Sequence, residues 1–174
     1  RVFGTQLEVR FFGFYGGSFD ASVLAHLPNV RSLSVDCMRH IRNEDEISRL
    51  PLLEHLTLGV YELDEPEFLS TLPLERLTLL AISENRKRDF NLAPLRRCGN
   101  LKDLYIHGHT KQIDTLANLT QVETLRLSGM SKRQELRFVS NMPGLKSLSL
   151  LLGGRQSINE VHHPNLEELN VVRV

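Results

Sequence analysis

The residues with the most evident chemical capacity are histidines, and two short segments carry them in pairs, His107-Gly108-His109 and His162-His163. Neutral imidazoles bind zinc, but a zinc site needs three or four ligands at characteristic spacing, and neither pair has a third candidate nearby. The two cysteines, Cys37 and Cys98, stand in different parts of the chain. The sequence therefore predicts no metal site and no cofactor.

Short catalytic motifs are absent from the sequence. There is no GxSxG, HExxH, phosphate-binding loop or dinucleotide fingerprint, which are the patterns that place a nucleophile, a metal-bound water or a phosphate. We therefore expect a protein that is not an enzyme. Two cysteines are too few for a disulfide framework, so we interpret both as small apolar residues in a reducing, cytoplasmic compartment.

Charge excludes two classes of partner. The 174 residues include 21 basic and 21 acidic side chains, so the basic excess of a nucleic-acid binder or a polybasic membrane binder is missing. No apolar stretch approaches the ~20 residues that a membrane-spanning helix needs. The length fits a single domain with its own core. The sequence thus predicts no nucleic acid and no membrane partner.

Leucine spacing supplies the strongest signal. The chain has 32 leucines, and an apolar residue recurs three and then five positions after another apolar residue. The copies begin 21 to 27 residues apart, and a steady period of this size is typical of stacked repeats. The clear copies are Val30-Leu33-Val35, Leu53-Leu56-Leu58, Leu74-Leu77-Leu79, Leu101-Leu104-Ile106, Val122-Leu125-Leu127, Leu145-Leu148-Leu150 and Leu166-Leu169-Val171.

Each copy predicts a short strand followed by a helical return. The last two apolar positions are two residues apart, so they point to one side of a strand and the residue between them points to the other. Strands repeated in this way pair in parallel, and a parallel crossover needs a dozen residues or more. Prolines one or two residues before a copy end the return, as at Pro28, Pro51, Pro73, Pro143 and Pro164.

The register Leu101-Lys102-Asp103-Leu104-Tyr105-Ile106 resembles the leucine-rich repeat family over nearly the whole chain. The resemblance implies an α/β fold: a right-handed solenoid with a parallel sheet on its concave face and short helical or 3₁₀ returns on its convex face. It implies one domain over residues 1–174 with about eight repeats, a degenerate capping repeat at 1–29 and seven clearer repeats at 30–174. The family usually places Asn or Cys three residues after the register, whereas here stand Met38, Tyr61, Ile82, His109, Met130 and Gly153. We therefore expect its buried polar ladder to be missing.

Members of the family mostly bind proteins or peptides on the concave sheet, so the resemblance implies a non-catalytic protein-binding module. Strand alternation places polar side chains of neighbouring copies side by side on that face. Tyr and Arg are frequent anchors of protein interfaces. We therefore predict a partner-binding patch in the middle of the sheet, formed by His55, Arg76, Asp103, Tyr105, His107 and Arg126. The alternative is that Arg76 merely pairs with Asp103 and Arg126 stacks on Tyr105.

Three further interpretations stay open. The segment His163-Pro164-Asn165-Leu166 also resembles repeat regions of intracellular immune receptors and of ubiquitin-ligase substrate receptors, which implies a sensor, autoinhibitory or substrate-recognition segment. A second alternative is an enzyme that uses the concave histidines.

The ends suggest a fragment of a longer protein that contacts flanking domains at both ends. The chain stops within a strand at residues 170–174, and six aromatic residues crowd its start, where they either cap the core or dock a neighbour: Phe3, Phe11, Phe12, Phe14, Tyr15 and Phe19.

Overall fold

The chain forms a parallel sheet to which every repeat contributes one strand. A computed structural model describes residues 6–83, 85–87, 89–151, 153–155 and 157–172. Within those residues the strands are β1 (Leu7–Phe12), β2 (Ser18–Asp20), β3 (Val30–Met38), β4 (His40–Arg42), β5 (His55–Val60), β6 (Leu79–Ile82), β7 (Asp103–His107), β8 (Thr124–Ser128), β9 (Ser147–Leu151) and β10 (Glu168–Val172). Eight pair in the order β1-β3-β5-β6-β7-β8-β9-β10, and β2 pairs separately with β4. The predicted α/β solenoid with a parallel sheet is confirmed.

The helices of the returns are short, with three to six residues each, because a repeat of this length leaves few residues once its strand is built. Two are α-helical, α1 (Asp45–Ser48) and α2 (Phe68–Thr71). The other helices of the described residues are 3₁₀ segments, which advance farther per residue than an α-helix and so span the width of the repeat in fewer residues. These 3₁₀ helices are Ala21–His26, Leu74–Arg76, Ala93–Arg97, Ile113–Asn118 and Arg137–Asn141.

Two rows of apolar side chains run across the sheet and form one wall of the core. One row is Leu33, Leu56, Leu80, Leu104, Leu125, Leu148 and Leu169, and the other is Val35, Leu58, Ile82, Ile106, Leu127, Leu150 and Val171. Every member is buried except those of β10, where Leu169 is 51% exposed. Burial of one such side chain contributes roughly 1.5–3 kcal/mol, so the stability of each repeat depends on its neighbours.

The third repeat uses a different register from the one predicted. The sequence predicts Leu74-Leu77-Leu79, but Leu80 pairs with Leu56 and Ile82 pairs with Leu58, so the register is Leu77-Leu80-Ile82. Since successive strand residues alternate between faces, the predicted register would have turned Leu80 and Ile82 outward. The observed register buries both and also buries Leu74 in the preceding 3₁₀ helix. The copies then begin 21 to 24 residues apart, and the predicted long step disappears.

The buried polar ladder is present in the middle of the chain, so the expectation that it is missing was wrong there. The corrected register puts Asn85, not Ile82, three residues after the third copy. Asn85 is buried, its Nδ2 donates to the Leu63 carbonyl at 2.6 Å, and its Oδ1 accepts from the Lys87 amide at 2.8 Å. His109 is buried at the equivalent place in the next repeat, whereas Met38 and Met130 fill their places with apolar volume.

The aromatic residues near the start divide into two groups. The Phe11 ring packs against the buried Phe19 ring with 4.4 Å between centroids, so these two cover the end of the core, as the capping interpretation predicts. Phe12, Phe14 and Tyr15 are exposed and do not cap anything. Other residues used in the sequence predictions lie outside the described residues: Phe3, Arg173 and Val174.

Candidate partner-binding surface

The middle of the sheet presents two rows of side chains on its outer face, the face turned away from the leucine core. Strand pairing aligns His55, Leu79, Asp103 and Thr124 in one row across β5–β8. It aligns Thr57, Ala81, Tyr105 and Arg126 in the next row. Neighbouring strands are about 4.8 Å apart, so adjacent members of a row contact each other. We call these eight residues the central patch.

A depression of about 280 Å³ opens in the central patch. The small Ala81 side chain stands between Thr57 and Tyr105 in its row, and the missing volume creates the hollow. Leu79 and Ala81 give the depression an apolar floor where polar side chains are otherwise the rule for an outer face. Its other lining residues are Thr57, Leu80, Asp103, Leu104, Tyr105, Thr124 and Arg126. An apolar floor with a polar border is typical of binding sites.

Tyr105 is fixed in position before any partner arrives. Its hydroxyl lies 2.9 Å from the hydroxyl of Ser128 on the neighbouring strand, and Ser128 is buried. A ring held at both its base and its tip loses little rotational freedom on binding, which lowers the entropic cost of association. Tyr105 therefore has the rigidity of an interface anchor.

Asp103 and Arg126 offer opposite charges on adjacent strands, and both are exposed. Within the described part of the chain, neither forms a salt bridge, and Arg126 does not stack on Tyr105. The internal pairings considered as an alternative explanation of these residues are therefore not formed. Both charges are available to a partner.

The position predicted for Arg76 was wrong. Arg76 ends the 3₁₀ helix Leu74–Arg76 instead of lying in a strand, and its Nη1 donates to the Pro51 carbonyl at 2.7 Å. The error follows directly from the register of the third repeat, because a shift by three residues moved this side chain out of the sheet. Leu80, expected on the outer face, is fully buried for the same reason.

The other predicted site residues lie in the sheet as expected. His55 begins β5 beside Leu79, and His107 ends β7 beside Ser128. His107 packs against Gly129, whose φ is +65° and whose absent Cβ would lie 2.3 Å from the imidazole Cδ2. Sequence reasoning missed Leu79 and Ala81, although the more even repeat spacing of the alternative register was a signal that could have found them.

One histidine of each pair has a structural role. His109 is buried, its Nδ1 accepts from the Phe90 amide at 3.1 Å, and its Nε2 donates to the Ser83 carbonyl at 3.0 Å. Burial lowers the pKa of His109 below its usual value. His163 donates from Nε2 to the Met142 carbonyl at 2.7 Å. Across the described ranges, no group of three or more His, Cys, Asp or Glu side chains is placed to hold a metal ion.

Known structures share this architecture. An internalin (inlF) from Listeria monocytogenes superposes with a TM-score of 0.67 and 23% identity, covering 94% of this chain and 54% of the internalin chain. A chain from the Drosophila Toll–Spatzle complex superposes with a TM-score of 0.61 and 15% identity, covering 88% of this chain and 24% of that one. These likenesses show the fold. A search with family models found no match.

A curated relative is similar in sequence to most of the chain. The zebrafish (Danio rerio) protein named transforming growth factor beta activator LRRC33 is 30% identical over 148 residues. The chain is a leucine-rich-repeat protein. The alignment covers 83% of this leucine-rich-repeat chain but only 21% of the zebrafish protein. The leucine-rich-repeat fold is in general a protein–protein interaction module.

Nowhere in the described residues does a helix have the length and apolarity needed to cross a membrane.

Proposed function

We propose that this leucine-rich-repeat chain is a non-catalytic binding module that receives a protein or peptide on the central patch. The observation that carries the proposal is the depression between β5 and β8, with an apolar floor beside Tyr105 and Arg126. Tyr and Arg are the side chains that most often dominate binding energy at protein interfaces. An apolar side chain of the partner fills the hollow over Ala81.

The unpaired charges define the chemistry of the partner further. A basic group of the partner lies against Asp103 and an acidic group lies against Arg126, on either side of the apolar contact. Charge pairs of this kind contribute to specificity and to the association rate more than to affinity. The chain has zero net charge, so its overall electrostatic field does not favour a partner of either sign. This is consistent with recognition through individual charges such as Asp103 and Arg126.

Two similar proteins support a protein partner. One structural neighbour is a chain of the Toll–Spatzle complex, and the zebrafish relative is named as an activator of transforming growth factor beta. The alignment spans 21% of that relative, which favours a second candidate function, a sensor, autoinhibitory or substrate-recognition segment within a larger receptor. In that case the partner on the central patch is another domain of the same polypeptide.

Site-specific photocrosslinking tests both candidates. A photoreactive amino acid replaces Ala81 in the depression, or Ala117 in the return helix Ile113–Asn118 as a control, in the full-length product of the gene. We expect crosslinks from position 81 and none from position 117. An intermolecular product supports the binding module, and an intramolecular product supports the receptor segment. Equal crosslinking from the two positions would show that the central patch is not the contact surface.

A double variant measures the anchors. Tyr105→Ala with Arg126→Ala weakens binding of the crosslinked partner by about 30-fold or more, since two interface anchors are removed. The melting temperature changes little because both side chains point away from the core. Ser149→Ala, at the equivalent outer position of β9, is the matched control and keeps full affinity. An unchanged affinity in the double variant would remove the proposal.

The cytoplasmic compartment stays a prediction. Cys37 and Cys98 are both free thiols, and burial raises the pKa of Cys98 to about 12, which makes it unreactive. We expect an alkylating reagent added at cell lysis to label Cys37 completely. Recovery of Cys37 in an oxidised form would contradict the predicted reducing compartment.

A further inference from the structure

A second surface lies at the N-terminal end of the solenoid, where exposed aromatic rings gather. We call Phe12, Phe14, Tyr15 and Tyr61 the aromatic rim. Phe14 is 82% exposed and Tyr15 is 62% exposed. The Phe12 and Phe14 rings meet edge-on at 4.7 Å, and Tyr15 stacks on Tyr61 at 5.4 Å. The rings contact one another instead of entering the core.

The backbone beneath the rings is strained. Phe14 and Tyr15 have φ values of +47° and +65°, so two consecutive bulky residues lie in the left-handed region that favours glycine or asparagine. The turn is held by the Tyr15 amide, which donates to the Cys37 carbonyl at 2.7 Å, and by the Gly17 amide, which donates to the Gly13 carbonyl at 3.0 Å. If stability were the only requirement, asparagine or glycine would be favoured at position 14, because both tolerate this backbone conformation. Strain of this kind concentrates at functional sites.

The aromatic rim carries positive charge. The Arg10 guanidinium lies 5.2 Å from the Phe12 ring centroid, and the Arg86 guanidinium lies 5.2 Å from the Tyr61 ring centroid. Arg10 donates to the carboxylate of Asp36 at 2.9 and 3.2 Å. Arg86 has no carboxylate partner within the described ranges, and the carboxylate of Glu62, next to Tyr61, is already paired with Arg39 at 3.0 Å. A cation desolvated against a ring remains able to bind an anion.

We propose that the aromatic rim docks an acidic peptide segment of a protein partner, with an apolar side chain beside Phe14 and a carboxylate on Arg86. The charge selects this occupant over a second copy of the chain, because a symmetric contact would bring the Arg10 and Arg86 guanidinium groups of two copies together. Phe12 ends β1, Phe14 and Tyr15 follow it and Tyr61 follows β5, whereas the residues of the central patch lie within β5–β8 and none of them belongs to the rim. The two surfaces are therefore separate sites.

Fluorescence anisotropy on the whole chain tests the proposal. The probes are labelled short peptides in which Glu and Asp flank one aromatic residue, together with matched peptides in which Lys replaces each acidic residue. We expect the acidic peptides to bind, with affinity falling as salt rises, and the basic peptides not to bind. Binding of both sets with equal affinity would overturn the proposal.

Three variants locate the binding. Phe14→Asn weakens binding of the acidic peptides about 30-fold while the free energy of unfolding stays equal or increases, since asparagine tolerates the left-handed backbone. Arg86→Gln removes the preference for acidic peptides. Val23→Asn changes an exposed apolar residue of the helix Ala21–His26 and leaves binding intact.

Other outcomes contradict the aromatic rim as a docking site. A loss of stability in Phe14→Asn with unchanged peptide binding would make the ring a structural element. A dimer in light scattering that Phe14→Asn dissociates would make the rim a contact between copies. Neither result affects the central patch, which is measured separately with the Tyr105 and Arg126 variants.

Discussion

The central patch and the aromatic rim both combine aromatic and arginine side chains, but different backbones support them. Tyr105 and Arg126 stand in regular paired strands, where parallel register alone places them side by side. Phe14 and Tyr15 stand in a turn with two left-handed residues, a conformation that costs roughly 1–2 kcal/mol per residue. A repeat fold thus presents side chains on its sheet without backbone strain, whereas its loops can present them at angles that strands cannot reach.

The largest effect is expected from removing the interior on which both surfaces depend. Leu104→Ala leaves a cavity beneath the central patch, because Leu104 is buried and lines the floor of the depression from below. We expect the free energy of unfolding to fall by about 2–5 kcal/mol in chemical denaturation. Leu151→Ala, at a residue that is 48% exposed, is the control and should cost less than about 0.5 kcal/mol. Similar losses in the two variants would show that the leucine rows are not the common support.

Substitution of two glycines tests whether the central patch and the aromatic rim depend on different parts of the backbone. A Cβ at position 13 would lie 2.3 Å from Sδ of Met38 and 2.9 Å from the Cys37 carbonyl oxygen, so Gly13→Ala should destabilise the rim by about 1–3 kcal/mol. Gly129→Ala instead displaces His107, beside the central patch. We expect each variant to weaken binding at its own surface, measured with the acidic peptides and with the crosslinked partner. If each variant weakened binding of the acidic peptides and also binding of the crosslinked partner, the two surfaces would be coupled.

A buried histidine makes stability depend on pH. The folded pKa of His109 is below its usual value of 6.5, so the unfolded chain takes up a proton first as pH falls. Neutral His109 therefore makes its full contribution to stability above pH 6.5. That contribution is lost as pH falls below 6.5. The charged or titratable neighbours are Asp89, whose Oδ1 is 3.6 Å from Nδ1 and opposes the loss, and His107, which adds to it.

His109→Asn is the matched variant, because Asn85 occupies the equivalent place in the preceding repeat. Chemical denaturation between pH 7.5 and pH 5 should give a smaller change in stability for the variant than for the parent chain. Parallel pH profiles for the two proteins would contradict the role of His109.

The smallest effect is expected just before the start of β8, where Glu123 lies between two lysines. Lys146 and Lys102 donate to its carboxylate at 2.8 and 2.9 Å, and these hydrogen bonds lower the pKa of Glu123 from 4.5 to about 2. The stability that ionised Glu123 contributes is present above pH 4.5 and is lost as pH falls towards 2. Glu123→Gln should flatten the acid limb of the stability profile while both surfaces keep their affinities. An unchanged acid limb would show that solvent screens these pairs.

Most of the fold could be predicted from spacing, because burial selects the same leucine positions in every repeat. The exception is instructive. Leu74, Leu77, Leu79, Leu80 and Ile82 satisfy two registers, and local spacing cannot decide between them. Only pairing with Leu56 on one side and Leu104 on the other shows that Leu80 faces the core. The misplaced Arg76 and the missed floor of the central patch both follow from this ambiguity.

The aromatic rim was beyond sequence reasoning for a different reason. Clustered aromatic residues near the start indicated either a cap or a docking surface, and hydrophobicity is the same in both cases. The structure assigns Phe11 and Phe19 to the cap and leaves Phe14 and Tyr15 outside it. Both residues have positive φ values and lie in a turn that is closed by hydrogen bonds from the Gly16 and Gly17 amides to the Gly13 carbonyl.

The sequence by itself determined the repeat, the parallel sheet and most of the side chains on its outer face, since strand alternation is a local property of the chain. Only the tertiary structure decided which register the third repeat adopts, where the depression lies and which aromatic rings remain exposed. Those features depend on contacts between repeats more than 20 residues apart, and the free energy of such contacts exists only once neighbouring strands have paired.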